Sequence, residues 1–228
     1  MLPDLLIIGD SHTTALVAGC EAHNLKAETL RFSGNFWHSG HVQFHPQHGV
    51  WVRRSKAMQQ QVLDVRERLG GRSLVSRDIP ILGSMAFNLG RIVPPFGFNR
   101  HVTEAGSFLD DPESSYASQA LVNAYVEAAR RQQILMVRRI ARLASLILVV
   151  PPKLRVRSNY TTFSNAIAGR LASSGVRLFD PSPTLCRPDE ALQAEYLAPD
   201  GLHGNREYGS AVIGLLLSEG LIAPRSAD

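Results

Sequence analysis

The sequence predicts an α/β fold built on a parallel β-sheet with helices on both faces. Three observations lead there. Short apolar runs at 5–8, 79–82 and 146–150 are each stopped by Gly or Pro, helical patterns separate them, and several runs are apolar at every position. A strand apolar on both sides needs both sides covered, which is the condition of a parallel sheet between two helical layers.

The elements follow in order. Residues 5–8, Leu-Leu-Ile-Ile, end at Gly9, and 13–23 has helical content, so the chain opens as strand, tight turn and helix. Residues 29–32 supply a second strand. From 31 to 54 the chain is rich in Gly, His and aromatic residues without a clear period, and 35–54 reads as a long irregular loop with room for one short element. A polar helix over 55–69 closes at Gly70 and Gly71. The third strand, 79–82, stops at Gly83. Pro94, Pro95, Gly97 and Gly106 then break 88–115 beyond any regular element. A loop of that length in a compact domain is more often functional than idle. Its Phe96, Phe98 and Phe108 suit a pocket wall or lid, or anchor the loop to the core.

Residues 116–144 carry the strongest helical pattern, with Leu121, Tyr125, Ala128, Ile134, Leu135 and Val137 spaced as a buried stripe. A strand over 146–150 is halted by Pro151 and Pro152. A helix over 159–173, a fifth strand over 176–179 and a final apolar helix over 206–217 complete the alternation. No repeat or linker divides the chain, so 1–228 is expected to be one domain.

Composition narrows the function. With 228 residues, 44% apolar and 19% charged, the chain can bury ~70% of its unfolded surface in one core. Disordered, collagen-like and disulfide-rich classes are excluded. No apolar run approaches the ~20 residues of a membrane span, so no membrane partner is expected. Asp4 interrupts the first apolar residues and no basic stretch precedes them, so a secretory layout is lacking and a cytoplasmic location is expected. Cys20 and Cys186 lie in segments of opposite character and are expected to be free thiols. The net charge of +4 comes almost wholly from arginine. Arg130, Arg131, Arg138, Arg139 and Arg142 recur on a helical pattern and read as a solvated face. No aromatic-interleaved basic groove accompanies them, so no nucleic-acid partner is expected.

In an open parallel sheet, ligands bind beyond the carboxyl ends of the strands. Gly9-Asp10-Ser11-His12 occupies such an end and places the Ser11 hydroxyl at a helix N-terminus, where developing negative charge is stabilised. Asp200-Gly201-Leu202-His203, just ahead of the last helix, holds a carboxylate and an imidazole three residues apart. A serine nucleophile needs that pair: His203 to accept its proton, Asp200 to fix the tautomer and stabilise the imidazolium. Taken singly, Ser11 is an N-cap, Asp200 a turn residue and His203 a surface histidine.

Gly-Asp-Ser after the first strand and Asp-x-x-His near the C-terminus resemble the SGNH/GDSL hydrolase family over almost the whole chain. The resemblance implies a three-layer α/β/α sandwich with a flavodoxin-like sheet of five parallel strands. It also implies ester or thioester hydrolysis through an acyl-serine intermediate, without a cofactor or metal. Ser11 would be nucleophile and first oxyanion donor through its N–H, His203 the base and Asp200 its partner. Gly34 sits where the family places a second donor. The third block, Gly-x-Asn in the family, is Gly83-Ser84-Met85 here, so either Asn88 or Asn35 supplies the third donor or the hole has one fewer. The expected substrate is a small-molecule or carbohydrate ester.

Two other readings use the same residues. Asp10 and His12 form an Asp-x-His at a strand end, and His38, His41, His45 and His48 crowd the first long loop, which together suggest a metal-dependent phosphoesterase. The Gly-Asp-x-x-Asp and Gly-Asn-His blocks such an enzyme uses are not in the sequence. The other reading is a non-catalytic binding module on the same scaffold. It is favoured by the incomplete third block and opposed by the intact Gly-Asp-Ser and Asp-x-x-His.

Overall fold

A computed structural model describes residues 2–98, 100–111, 113–154, 158–187 and 191–225, without the side chains of Phe98 and Ser158. Strand β1 (Leu5–Gly9) leads into helix α1 (Thr13–Ala22) and strand β2 (Ala27–Arg31). A short helix α2 (Gly34–His38) and the strands β3 (Val42–His45) and β4 (Gly49–Val52) precede α3 (Lys56–Arg68) and β5 (Ile81–Ser84). Next come α4 (Leu89–Phe98), β6 (His101–Val102), α5 (Ala105–Asp110), β7 (Ser115–Tyr116) and the long α6 (Gln119–Leu143). Strand β8 (Leu146–Val149), α7 (Ser158–Ala172), β9 (Arg177–Phe179), α8 (Ser182–Leu185), a 3-10 turn (Ala194–Tyr196) and α9 (Arg206–Ser218) close the chain.

The central sheet has five strands in the order β2-β1-β5-β8-β9, all parallel. Alternation along β1 shows why two helical layers are needed. Leu6 and Ile8 face one way, into a core shared with Val62 and Val65 of α3, Val137 and Ile140 of α6, and Phe163 and Ile167 of α7. Leu5 and Ile7 face the other way, against Leu16 and Cys20 of α1 and Val212 and Ile213 of α9. Each such side chain stabilises the fold by about 1.5–3 kcal/mol relative to exposure. The result is the three-layer α/β/α sandwich. Sheet order reverses between β1 and β5, so a crevice opens beyond their carboxyl ends. Among the described residues, no helix is long and apolar enough to cross a membrane.

Four expectations need correction. The segment 35–54 is not a loop: α2 and the antiparallel β3–β4 hairpin occupy it. Val42, Val50 and Val52 are buried at alternate positions there, a period hidden by the intervening histidines and glycines. The segment 88–115 is not irregular either. Helix α4 runs through Pro94 and Pro95, because Ile92, Val93 and Phe96 are buried on its inner face. The carbonyls at Gly90 and Arg91, deprived of proline N–H donors, lie on exposed residues where water can serve them.

The stripe on α6 holds only in part: Ile134 and Val137 are buried as expected and Tyr125 is half-buried against the core. Leu121, Ala128 and Leu135 are exposed instead, and Val122, Val126, Arg130, Gln133, Met136 and Ile140 join the buried face. Arg130 therefore does not belong to a solvated face. The buried face contains two polar residues whose partners lie in distant segments, so apolar spacing alone finds only part of it. The phenylalanines also divide: Phe96 packs in the core against Tyr125 and Phe163, and Phe108 sits exposed against Tyr116. Neither lines the cleft described below, and the Phe98 side chain lies outside the described residues. Cys20 and Cys186 are free thiols.

Candidate active site

Ser11 is displayed by a turn that β1 and α1 hold from both ends. The β1–β5 ladder extends one step past the strand, with Asp10 N–H donating to the Ser84 carbonyl at 3.2 Å. Gly9 has to be glycine, because a Cβ there would overlap Ser84. The Asp10 carbonyl accepts the Thr13 N–H and, at 2.7 Å, the Thr13 hydroxyl, which starts α1. The Asp10 carboxylate accepts the His12 N–H at 3.1 Å and so closes the turn around the exposed Ser11.

Asp200 and His203 sit on a second tight loop. The N–H of Ala198 donates to the His203 carbonyl, Gly201 takes a left-handed φ of +63°, and Asn205 caps α9 by accepting the Tyr208 N–H at 2.9 Å. Helices α1 and α9, which begin just after Ser11 and His203, cross at Gly19 and Gly209. A Cβ on either would run into the other helix's backbone.

The two loops bring the expected residues together. Ser11 Oγ lies 2.8 Å from His203 Nε2, and His203 Nδ1 lies 2.7 Å from Asp200 Oδ2. Asp200 Oδ1 also accepts the N–H groups of Leu202 at 2.8 Å and His203 at 3.1 Å. Its bond to His203, with these backbone donors, holds the Asp200 carboxyl below the usual carboxylate range. An ionised Asp200 fixes His203 with its proton on Nδ1, leaving Nε2 free to accept from Ser11.

Beside Ser11, burial pushes the Asp10 carboxyl up and the His12 imidazole down. The His12 and His203 rings are 5.2 Å apart and tilted.

Gly34 and Asn88 complete the surroundings. Trp37 Nε1 donates to the Gly9 carbonyl at 3.0 Å, which pins α2 to the end of β1 and brings Gly34 to the cleft. Among the described residues, neither the Ser11 nor the Gly34 N–H has a protein acceptor. Asn88 Nδ2 donates to Asp10 Oδ2 at 3.0 Å and would lie 3.2 Å from a Cβ on Gly34. Ala86 and Asn88 both adopt left-handed backbone, φ +77° and +41°, which costs about 1–3 kcal/mol per residue and persists only where the surroundings enforce it. Asn35 is exposed and does not line the cleft. Met85 does, as does Asn88, three residues further along.

The cleft over these groups has a volume of about 480 Å³. Leu89, Pro152 and Leu154 give it an apolar side, and Tyr160, Thr161 and Ser164 bring three hydroxyls from the first turns of α7. The four clustered histidines go separate ways. His38 Nδ1 meets Arg130, His41 meets the Phe36 ring, and His48 stacks between His45 and Trp51 while Arg66 bonds His48 Nδ1 at 2.7 Å. Among the described residues, no group of three His, Cys, Asp or Glu is arranged to hold a metal ion. Sequence reasoning missed Arg130 and Gln133, whose partners are described below.

No protein-family model matches the chain, and no curated protein does. Solved structures do resemble it. An extracellular lipase from Streptomyces rimosus is similar at 11% identity and TM-score 0.49, over 96% of this chain and 99% of the lipase. An acetyl xylan esterase from Geobacillus stearothermophilus is similar at 14% identity and TM-score 0.46, over 97% and 96%. A GDSL-like lipase from Bacteroides thetaiotaomicron is similar at 13% identity and TM-score 0.42, over 95% and 86%. At such identities the likeness concerns the course of the chain, and the chemistry has to come from the site.

Proposed function

We propose that the chain is a serine esterase of the SGNH/GDSL type, cleaving a carboxylic ester or thioester through an acyl-serine intermediate. The observation that carries this reading is the unbroken hydrogen-bonded chain Ser11–His203–Asp200, at 2.8 and 2.7 Å, in the mouth of a cleft. Ser11 Oγ attacks the ester carbonyl as its proton passes to His203 Nε2, and the carbonyl oxygen becomes an oxyanion. The N–H groups of Ser11 and Gly34 and the free hydrogen of Asn88 Nδ2 are the donors for that oxygen. Collapse breaks the bond to the leaving group, which takes the proton from His203 and departs as an alcohol or thiol. Water then gives a proton to His203 and attacks the acyl-serine, releasing the acid and restoring the Ser11 hydroxyl.

The size of the cleft and its hydroxyl-bearing wall favour a small or carbohydrate ester. Labelling with a fluorophosphonate tests the reading. The adduct is expected on Ser11 by mass spectrometry and absent in Ser11→Ala, and a short-chain aryl ester is expected to turn over without added metal and without effect of a chelator. A protein left unlabelled, or one that loses activity to chelator and regains it with zinc or manganese, overturns it.

A further inference from the structure

Arg130 lies midway along α6 with its side chain fully buried, and it belongs neither to the catalytic chain nor to the cleft lining. A guanidinium withdrawn from water is costly unless its donors are satisfied. No carboxylate pairs with it among the described residues. Instead Nε donates to the Phe87 carbonyl at 3.1 Å, Nη2 to the Asn88 carbonyl at 2.9 Å, and Nη1 to His38 Nδ1 at 3.0 Å and the Ala129 carbonyl at 3.2 Å. Burial and the neighbouring Arg130 and Arg91 hold His38 below its ordinary pKa, so its neutral ring offers Nδ1 as an acceptor.

These partners belong to two segments that share no sheet ladder. His38 ends the helix that begins at Gly34, and Phe87 and Asn88 lie in the turn after β5, where Ala86 and Asn88 take left-handed backbone. One turn along α6, Gln133 Nε2 donates to the carbonyls of Trp37 at 2.7 Å and His38 at 3.1 Å. Gln133 therefore holds α2 alone, whereas Arg130 holds α2 and the Asn88 turn together.

We propose that Arg130 is a positioning residue for oxyanion stabilisation, setting the separation between the Gly34 N–H and the Asn88 amide by gripping both segments in one planar fork. The kinetic consequence rests on the esterase reading above; the structural one does not. Lysine is a single point donor and cannot satisfy divergent acceptors in one plane.

The test uses Arg130→Lys and the milder His38→Ala. Turnover is measured per site titrated to completion with fluorophosphonate, so that unfolded protein is not counted. Arg130→Lys is expected to lower kcat about tenfold or more with KM within about twofold, and His38→Ala about threefold. In an Asn88→Ala background the Arg130→Lys effect is expected to shrink to less than about twofold, because the separation that Arg130 sets has then lost its Asn88 end. An unchanged kcat per site, or factors that multiply, overturns the proposal.

Side-chain amide resonances of Asn88 and the Gly34 N–H are expected to shift together in either variant, while Trp51 Nε1 keeps its position. Resonances that stay in place overturn the clamp even if the enzyme slows. If wild-type protein has no esterase turnover, the functional reading fails and the resonances alone decide the clamp. Should Arg130→Lys not fold, His38→Ala carries both measurements.

Discussion

The side-chain amide of Asn88 donates to the Asp10 carboxylate at 3.0 Å, tying the turn after β5 to the residue directly before Ser11. One amide hydrogen is committed by this bond, and Nδ2 itself lies beside Gly34, 3.2 Å from where a Cβ there would stand. In the proposed mechanism this fixes the amide before substrate arrives, which is the condition for stabilising a charge that exists only in the transition state.

Asn88→Ala is therefore expected to lower kcat by about 10²–10³ with little change in KM. Asn35→Ala, altering an exposed side chain outside the cleft, is the matched control. Steady-state kinetics on a short-chain aryl ester decide it. Equal effects of the two substitutions would remove Asn88 from its role.

Two histidines flank Ser11, and the geometry separates them. His203 contacts Ser11 Oγ and Asp200, whereas the half-buried His12 sits behind it, held towards neutrality by burial. His203→Ala is expected to reduce turnover by ~10³ or more, and Asp200→Asn by less because some positioning survives. His12→Ala is expected to cost under about tenfold, because among the described residues it is His203 and not His12 that hydrogen-bonds Ser11 Oγ. The base is misassigned if the order of the two histidines is reversed.

What the sequence made legible was whatever is local. Gly9-Asp10-Ser11 and Asp200-x-x-His203 each form within one turn, and the strand ends that bring them together follow from apolar runs stopped by Gly or Pro. Asn88 escaped a fixed spacing because Ala86 and Asn88 bend the chain into left-handed backbone, which residue types do not announce. Arg130 was hidden for a related reason. Its burial is compensated by carbonyls 42 and 43 residues away, so hydrophobic periodicity counts it as surface. Helix α4 with its two prolines shows core burial overriding propensity.

Stability is expected to fall as the protein is acidified from neutrality. Burial holds the folded-state pKa values of His12 and His38 below 6.5, and Arg130 and Arg91 reinforce the shift at His38. As pH drops through 6.5 the unfolded chain takes up protons at these positions that the folded protein does not. Protonation then favours unfolding, and stability is lost progressively down to the folded values. Asp10, raised above 3.8, acts in the opposite sense, its contribution growing as pH falls through its folded value. Thermal melts at constant ionic strength between about pH 7.5 and 5.5 should show a falling Tm. His38→Gln, which keeps an acceptor for Arg130 but does not titrate, should flatten the slope. A wild-type Tm independent of pH over that range contradicts the argument.

Helices α1 and α9 lead away from Ser11 and His203 and meet where only glycine leaves room. Gly209 of α9 sits on the backbone of Ala15 and Gly19 in α1, where a Cβ would overlap the Ala15 carbonyl, so Gly209→Ala has to drive the two helices apart. Forced overpacking of this kind costs about 1–3 kcal/mol. Since α1 begins two residues after Ser11 and α9 three after His203, the strain bears on the 2.8 Å Ser11–His203 contact. Gly209→Ala is expected to lower Tm and, well below it, to slow both ester turnover and fluorophosphonate labelling. Gly214→Ala is the control in the same helix. Its Cβ would meet only the His23 ring, at an ordinary 3.4 Å, and the better helix former should add up to about 1 kcal/mol. Opposite signs of ΔTm for these two glycines, with a labelling defect in Gly209→Ala alone, would tie the α1–α9 crossing to the chemistry. Equal stability and equal labelling would show that the loops place Ser11 and His203 without it.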